Sequence, residues 1–387
     1  MSRTGPALDR GAAELLSWAR RVASFSRTEV AEETGWARMT VQSRIDELLQ
    51  LGLLSTAPTQ IGSRGRPAAR YRFNHERADL LIVDVGASGA RLARCDLAGQ
   101  VLERREVQLD IAAGPEAVLD LLTPVAAELI PPAQRADRLW GVGVSLPGPV
   151  EFATGKVVSP PIMTGWDGYD VRAGLQERMG GADVLVDNDA TAKAWGEYQV
   201  RYPASAGLVF VKAGTGIGAG LVANGLPLRG ANGAAGDIGH TWAAEPSAGR
   251  DDRPLCRCGK LGCVEAYSGG WAIARDLQEQ GLDCQGAEDV LRLVRAGEPL
   301  AIKLVRDAGR TLGSALAYAV SLVNPSAVVV GGTLSRTGEH LLGGIREQIA
   351  AHSLPLATRD LTIETSPLKA DSGVQGLAHM VADRVLA

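Results

Sequence analysis

Leu80-Leu81-Ile82-Val83-Asp84-Val85-Gly86 is an apolar run with one carboxylate, stopped by glycine. A run of this length and composition, closed by a turn residue, predicts a strand buried on both faces. Arg91 to Asp96 reads as its partner strand, with Ala98-Gly99 as a hairpin turn after it. Further strands are expected at Trp140 to Ser145, Val184 to Val186, Leu208 to Val211, Gly220 to Ala223 and Ala327 to Val330. Helical patterns lie between them, at Glu116 to Leu129, Val171 to Met179, Thr191 to Gln199, Ala287 to Ala296 and Ala301 to Val323. Strands alternating with helices give an α/β class. Two strand–turn–strand openings, near Asp84 and near Gly214, point to two related lobes.

Upstream of this region the pattern changes. Ala12 to Val22 predicts a helix, with Leu15, Leu16, Ala19 and Val22 at helical spacing. Ser26 is a natural N-cap, with Glu29 three residues on as in a capping box, for a short helix ending at Gly35. A third helix runs from about Ala37 to Leu49 and buries Val41, Ile45, Leu48 and Leu49. Leu53-Leu54 opens a strand, a turn-rich basic stretch covers Ser55 to Arg70, and Tyr71-Arg72-Phe73 returns. Helix, helix–turn–helix, then a two-stranded wing is the order of a winged helix. The expected division is 1–77 for this unit, 78–200 for a first lobe, and 201–387 for a second lobe whose last helix is a candidate to return to the first.

Composition fits a globular protein, with 45 % hydrophobic and 22 % charged residues among 387. No apolar run approaches a membrane span, and Met1 to Arg10 lacks the apolar core of a secretory signal, so a cytoplasmic location is expected. The net charge of −4 hides an asymmetry: residues 1–77 hold 12 Arg against 8 acids, a net of +4, leaving −8 for the remainder. A basic segment on an acidic chain suits double-stranded DNA. In a winged helix the third helix meets base edges, which selects Arg38, Thr40, Gln42, Ser43 and Arg44. Arg64 and Arg66 flank a glycine ahead of Pro67, a narrow strip suited to an A·T-rich minor groove. Paired half-sites imply a homodimer or homotetramer.

Cys256-Arg257-Cys258-Gly259-Lys260-Leu261-Gly262-Cys263, with His240 upstream, is a metal-binding spacing. In a reducing compartment three clustered thiols read as ligands rather than disulfides. Three thiolates and an imidazole make a closed, structural zinc site. Cys95 and Cys284 stand alone and read as small core residues.

Taken in order, these motifs resemble the ROK family of repressors, open reading frames and sugar kinases. They are Asp84-Val85-Gly86-Ala87-Ser88, Asp187-Asn188-Asp189-Ala190, Gly214-Thr215-Gly216-Ile217-Gly218, Gly236-Asp237-Ile238-Gly239-His240, the Cys cluster followed by Val264-Glu265, and Gly331-Gly332-Thr333. Gly65-Arg66-Pro67 and Tyr71-Arg72-Phe73-Asn74 resemble the family's repressors. The resemblance implies an actin-like, two-lobed sugar-kinase domain preceded by a winged helix-turn-helix, with a sugar in the cleft. It implies sugar contacts at Gly148, Asn188, Asp189, Asp237, His240 and Glu265, with His240 ligating zinc through its other ring nitrogen. In a kinase, Asp189 would be the catalytic base, and Mg-ATP would lie near Asp84, Gly86, Gly214, Thr215, Gly216, Gly331 and Gly332. The family's kinases usually read Asp-x-Gly-Gly-Thr-Lys at the first loop; here Ala87 replaces a Gly and Gly89 the Lys. That loss weakens the case for phosphoryl transfer, which depends on placed positive charge. The expected function is a sugar-controlled transcriptional regulator of carbohydrate genes; the alternative is an active ATP-dependent sugar kinase with an appended DNA-binding domain.

Overall fold

The computed structural model describes residues 5–6, 8–57, 69–243 and 253–387. The chain opens with α1 (Arg10–Ala19), β1 (Phe25–Ser26), α2 (Arg27–Thr34), α3 (Arg38–Gln50), β2 (Leu54–Ala57) and β3 (Arg70–Phe73). Only Val30 of α2 is buried, so caps rather than a wide apolar face set its length. Ser26 and Glu29 form a reciprocal capping box, and Gly35 ends the helix at φ 71°; the N-terminal cap alone contributes about 1 kcal/mol. Ala12, Leu15 and Leu16 of α1 share one core with Val41, Ile45 and Leu48 of α3. The sheet has three strands, ordered β1-β3-β2, one more than the two expected. The extra strand, β1, is two residues long, too short to show a periodicity. Arg64, Gly65, Arg66 and Pro67 lie outside the described residues.

The first lobe comprises β4 (Asp79–Val85), β5 (Gly89–Asp96), β6 (Val101–Gln108), α4 (Pro115–Leu129), α5 (Pro132–Arg138), β7 (Leu139–Leu146), β8 (Val150–Glu151), β9 (Lys156–Val157), α6 (Val171–Arg178) and β10 (Asp183–Asn188). Helix α7 (Asp189–Arg201) leads into β11 (Gly207–Ala213), β12 (Ile217–Ala223), β13 (Leu226–Pro227), α8 (Glu265–Ser268), α9 (Gly270–Glu279), α10 (Ala287–Arg295), α11 (Pro299–Val323), β14 (Ala327–Gly331), α12 (Glu339–His352), α13 (Pro355–Thr358), β15 (Thr362–Thr365) and α14 (Ser372–Val385). The two main sheets repeat one topology, β10-β7-β4-β5-β6 and β15-β14-β11-β12-β13. In each, the opening strand pairs antiparallel with the next strand and parallel with a later one. All seven residues of β4 are buried, as its apolar run predicts.

Helices α7 and α14 cross backbone to backbone. A Cβ at Gly376 would lie 1.8 Å from the Ala192 carbonyl oxygen, and one at Gly196 would lie 2.0 Å from that of Ser372. Helix α14 also lies on the first lobe, where Gly141 and Gly143 leave room for Val381 and Leu377. Its far end meets the N-terminal unit through an ion pair between Arg20 and Asp383 at 2.8 Å. His75 and Asp96, 2.7 Å apart, and Arg77 over the Trp140 ring complete that junction. Among the described residues, no helix is long and apolar enough to cross a membrane.

Candidate functional site

The ends of β4 and β11 and the first turns of α7 bring four charged side chains together. Asp84 closes β4 and Asp189 opens α7, and both are buried. Ser145 Oγ donates to Asp84 Oδ1 at 2.7 Å, and Lys193 Nζ donates to the same oxygen at 3.0 Å. Lys193 also stands 3.7 Å from Asp189 Oδ2, one helical turn away, and Lys212 of β11 pairs with that oxygen from the other lobe. Burial by itself would push the Asp84 carboxyl up; the Lys193 ammonium and the Ser145 hydroxyl outweigh it and hold the carboxyl below its usual range. Burial likewise opposes the Lys193 charge, but Asp84 and Asp189 raise its pKa. A second tie between the lobes is Arg229 on Asp187 at 2.7 Å, with the guanidinium stacked 4.0 Å from the Phe152 ring centroid. Burial leaves Asp187 with a raised pKa despite that partner.

Around this floor, each implied sugar contact has a definite place. Asn188 is the N-cap of α7: its side-chain oxygen accepts from Ala190 N, and its amide donates to the Gly148 carbonyl at 3.0 Å. Part of its hydrogen-bonding capacity is therefore spent on tying the Gly148 loop to α7. Glu265, also buried, accepts from Ile217 N at 2.9 Å and from Trp271 Nε1 at 3.2 Å, bracing the Gly214-Thr215-Gly216 turn. Gly216 is needed there, because a Cβ would lie 2.5 Å from Glu265 Oε2. Asp237 is exposed, and His240 follows on a short 3-10 turn packed against β12.

The residues implied for nucleotide contact are largely engaged by the protein itself. The Gly214 and Thr215 carbonyls accept from Gly270 and Trp271 at the start of α9. A Cβ at Gly331 would meet the Phe210 ring at 2.5 Å, and one at Gly332 the Ala213 oxygen at 2.4 Å, so close packing accounts for both glycines. Gly86 donates to the Gly89 carbonyl in the β4–β5 turn.

His240, Cys256, Cys258 and Cys263 present one ligand atom each within 4.8 Å of one another. Cys256 Sγ lies 3.6 Å from His240 Nδ1, and Cys258 Sγ lies 3.6 Å from Cys263 Sγ. Metal–sulfur bonds of about 2.3 Å and metal–nitrogen bonds of about 2.0 Å, set tetrahedrally, separate their ligand atoms by roughly 3.5–3.8 Å. The donor set and spacing fit one metal ion. Burial pushes the Cys263 thiol up to about 12, so a metal would have to displace its proton.

On α3, Arg38, Thr40 and Ser43 are exposed, together with Met39 at 80 %. Gln42 is turned along the helix onto Asp46, at 2.6 Å. Arg44 folds back onto Asp9, the N-cap of α1, and onto Glu47. The outward face of α3 is thus narrower than the sequence suggests, because two of its polar residues found partners within the unit. Sequence reasoning missed Lys193 and Lys212. The signals were there: Lys193 is four residues after Asp189 in a helix of small residues, and Lys212 interrupts an apolar strand.

A family model described as "ROK family" matches residues 80–384. This chain belongs to the ROK family. Within that family, a xylose repressor from Caldicellulosiruptor bescii is 26 % identical over 380 residues, covering 94 % of this chain and 93 % of its own. A glucokinase from Halalkalibacterium halodurans is 30 % identical over 315 residues, covering 77 % of this chain and 93 % of its own. A solved ROK family transcriptional regulator, homolog of the E. coli MLC protein, superposes with a TM-score of 0.81 at 24 % identity, over 98 % of this chain and 97 % of that one. A Streptomyces griseus ROK glucokinase in complex with glucose and AMPPNP gives a TM-score of 0.65 at 26 % identity, over 79 % of this chain and 99 % of that one. The ROK relatives therefore include both repressors and kinases.

Proposed function

We propose that this ROK protein is a DNA-binding transcriptional regulator, a repressor of carbohydrate genes, controlled by a sugar in the cleft between its lobes. One observation carries the reading: the repressor relative aligns over 94 % of this chain, whereas the kinase relative aligns over 77 %. The family match begins at residue 80, so the extra length of the repressor alignment takes in the N-terminal unit. We read that unit as a winged helix-turn-helix. The exposed face of α3, with Arg38, Met39, Thr40 and Ser43, would enter the major groove, and Arg64 and Arg66 the minor groove. A homodimer or homotetramer would present two such units to paired half-sites. Zinc held by His240, Cys256, Cys258 and Cys263 would pin the His240 loop against the cleft; structural zinc contributes about 10–16 kcal/mol in small modules.

Helix α14 is the connection between cleft and DNA unit. Its first turn touches Asp84 through Gly373, and its last turn holds Arg20 through Asp383. A sugar that binds one arrangement of the lobes better shifts α14 with them, and so changes the spacing of the two DNA units. The test is fluorescence anisotropy on genomic fragments selected by the protein, repeated with a sugar panel that begins with xylose and glucose. A single sugar should shift DNA affinity several-fold. Absence of any sequence preference at physiological salt would end the reading. The kinase reading draws on the retained Asp189 at the start of α7; a coupled assay with no ADP release over the same panel would remove it.

A further inference from the structure

Asp84 is enclosed on three sides. Ser145 Oγ lies 2.7 Å from its Oδ1, Lys193 Nζ lies 3.0 Å from the same atom, and a Cβ on Gly373 would lie 2.5 Å from its Oδ2. Lys193 Nζ is also 3.7 Å from Asp189 Oδ2, so one ammonium stands between carboxylates from two different elements. Its side chain is 15 % exposed, and those of Asp84 and Asp189 are 3 % and 4 %.

Two carboxylate oxygens facing one point, Asp84 Oδ1 and Asp189 Oδ2, are ligands of the kind a hard divalent cation takes. Nucleotide phosphates are held in proteins by such an ion, which bridges carboxylates to phosphate oxygens. Here, with Lys212 Nζ already on Asp189 Oδ2 from the β11 side, the Lys193 ammonium fills that point. The two ammoniums neutralise the two acids, but neither offers a coordination position to a phosphate. A divalent ion brought to the same place would lose its carboxylates to Lys193 and be repelled by its charge.

The geometry points to Lys193 as a tethered cation that stands in for a divalent ion between Asp84 and Asp189, and thereby keeps metal–nucleotide out of the cleft. Lys193 is then a specificity-determining residue, and the cleft answers to an uncharged polyol independently of ATP. This inference rests on the cleft reading above.

The test uses zinc-loaded, full-length protein with Mn²⁺ alone, followed by electron paramagnetic resonance, and Mg-ADP by calorimetry. Wild type should bind neither at the floor. Lys193→Ala should gain one Mn²⁺ site on Asp84, at least about tenfold tighter than any wild-type binding. Lys212→Ala added to it, which frees Asp189 as well, should tighten that site, and Asp84→Asn should abolish it. Lys193→Arg should keep Mn²⁺ out. If Lys193→Ala does not fold, Lys193→Gln serves the same comparison. Mg-ADP or Mn²⁺ binding by wild type that Asp84→Asn removes would overturn the inference, whatever the variants do. So would a folded Lys193→Ala or Lys193→Gln protein with no gain in Mn²⁺ binding. A lack of any sugar effect on DNA binding would instead remove the sensor reading and leave the Mn²⁺ result standing.

Discussion

Replacing Gly376 by Ala puts one methyl group into the crossing of α7 and α14. That Cβ would lie 1.8 Å from Ala192 O, 2.8 Å from Ala192 C and 2.8 Å from Gly196 N. Ordinary contact begins near 3.4 Å, so the helices must part by about 1.6 Å at this point. Overpacking costs about 1–3 kcal/mol when flexible side chains can yield. Here the neighbours are backbone atoms of another helix, which places the cost at about 3 kcal/mol or more. At roughly 2–4 °C per kcal/mol, Tm should fall by about 6–12 °C. Gly343 is the internal control. It lies within α12, and a Cβ there would meet nothing within 4 Å. Gly343→Ala should stabilise by about 0.4–1 kcal/mol, by restricting the unfolded chain. Scanning calorimetry and urea unfolding on the two variants read opposite signs if the crossing is as tight as described. A neutral Gly376→Ala, or equal losses at both positions, would refute the packing argument.

Three further outcomes are expected. Cys258→Ser leaves two thiols and one imidazole, so bound zinc should fall to near zero and Tm should drop; full zinc content by atomic absorption with an unchanged Tm would remove the metal role. Burial depresses the pKa of His379 on α14 below its ordinary 6.5, so the folded state resists protonation. Its contribution to stability should be complete above that value and decline as pH falls through the depressed one. His379→Gln should flatten this decline in urea titrations at a series of pH values, and an unchanged slope would contradict it. Arg20→Ala breaks a half-exposed ion pair, so stability should change by less than about 1 kcal/mol. The ratio of DNA affinities with and without sugar should nonetheless shrink; an unaltered ratio would take α14 out of the relay.

The α/β class, the buried strand at Leu80 to Val85, the capping box at Ser26 and Glu29, and the candidate metal ligands are all legible in the residue order. Each rests on a local rule: periodicity, cap chemistry or ligand spacing within a few residues. That order did not reveal β6, whose alternation of half-buried and exposed residues is masked by Glu103, Arg104, Arg105 and Glu106 at the edge of a sheet. Nor did it show how closely α14 crosses α7, since the small residues of each helix carry meaning only against those of the other. Three pairings exist only once the chain is folded: Arg44 turns to Asp9, Asn188 caps a helix, and Lys193 meets Asp84 across 109 positions of chain. Such pairings depend on which strand ends and helix starts converge. A buried charge takes whatever partner the fold brings within reach, because standing alone in a low-dielectric interior costs several kcal/mol.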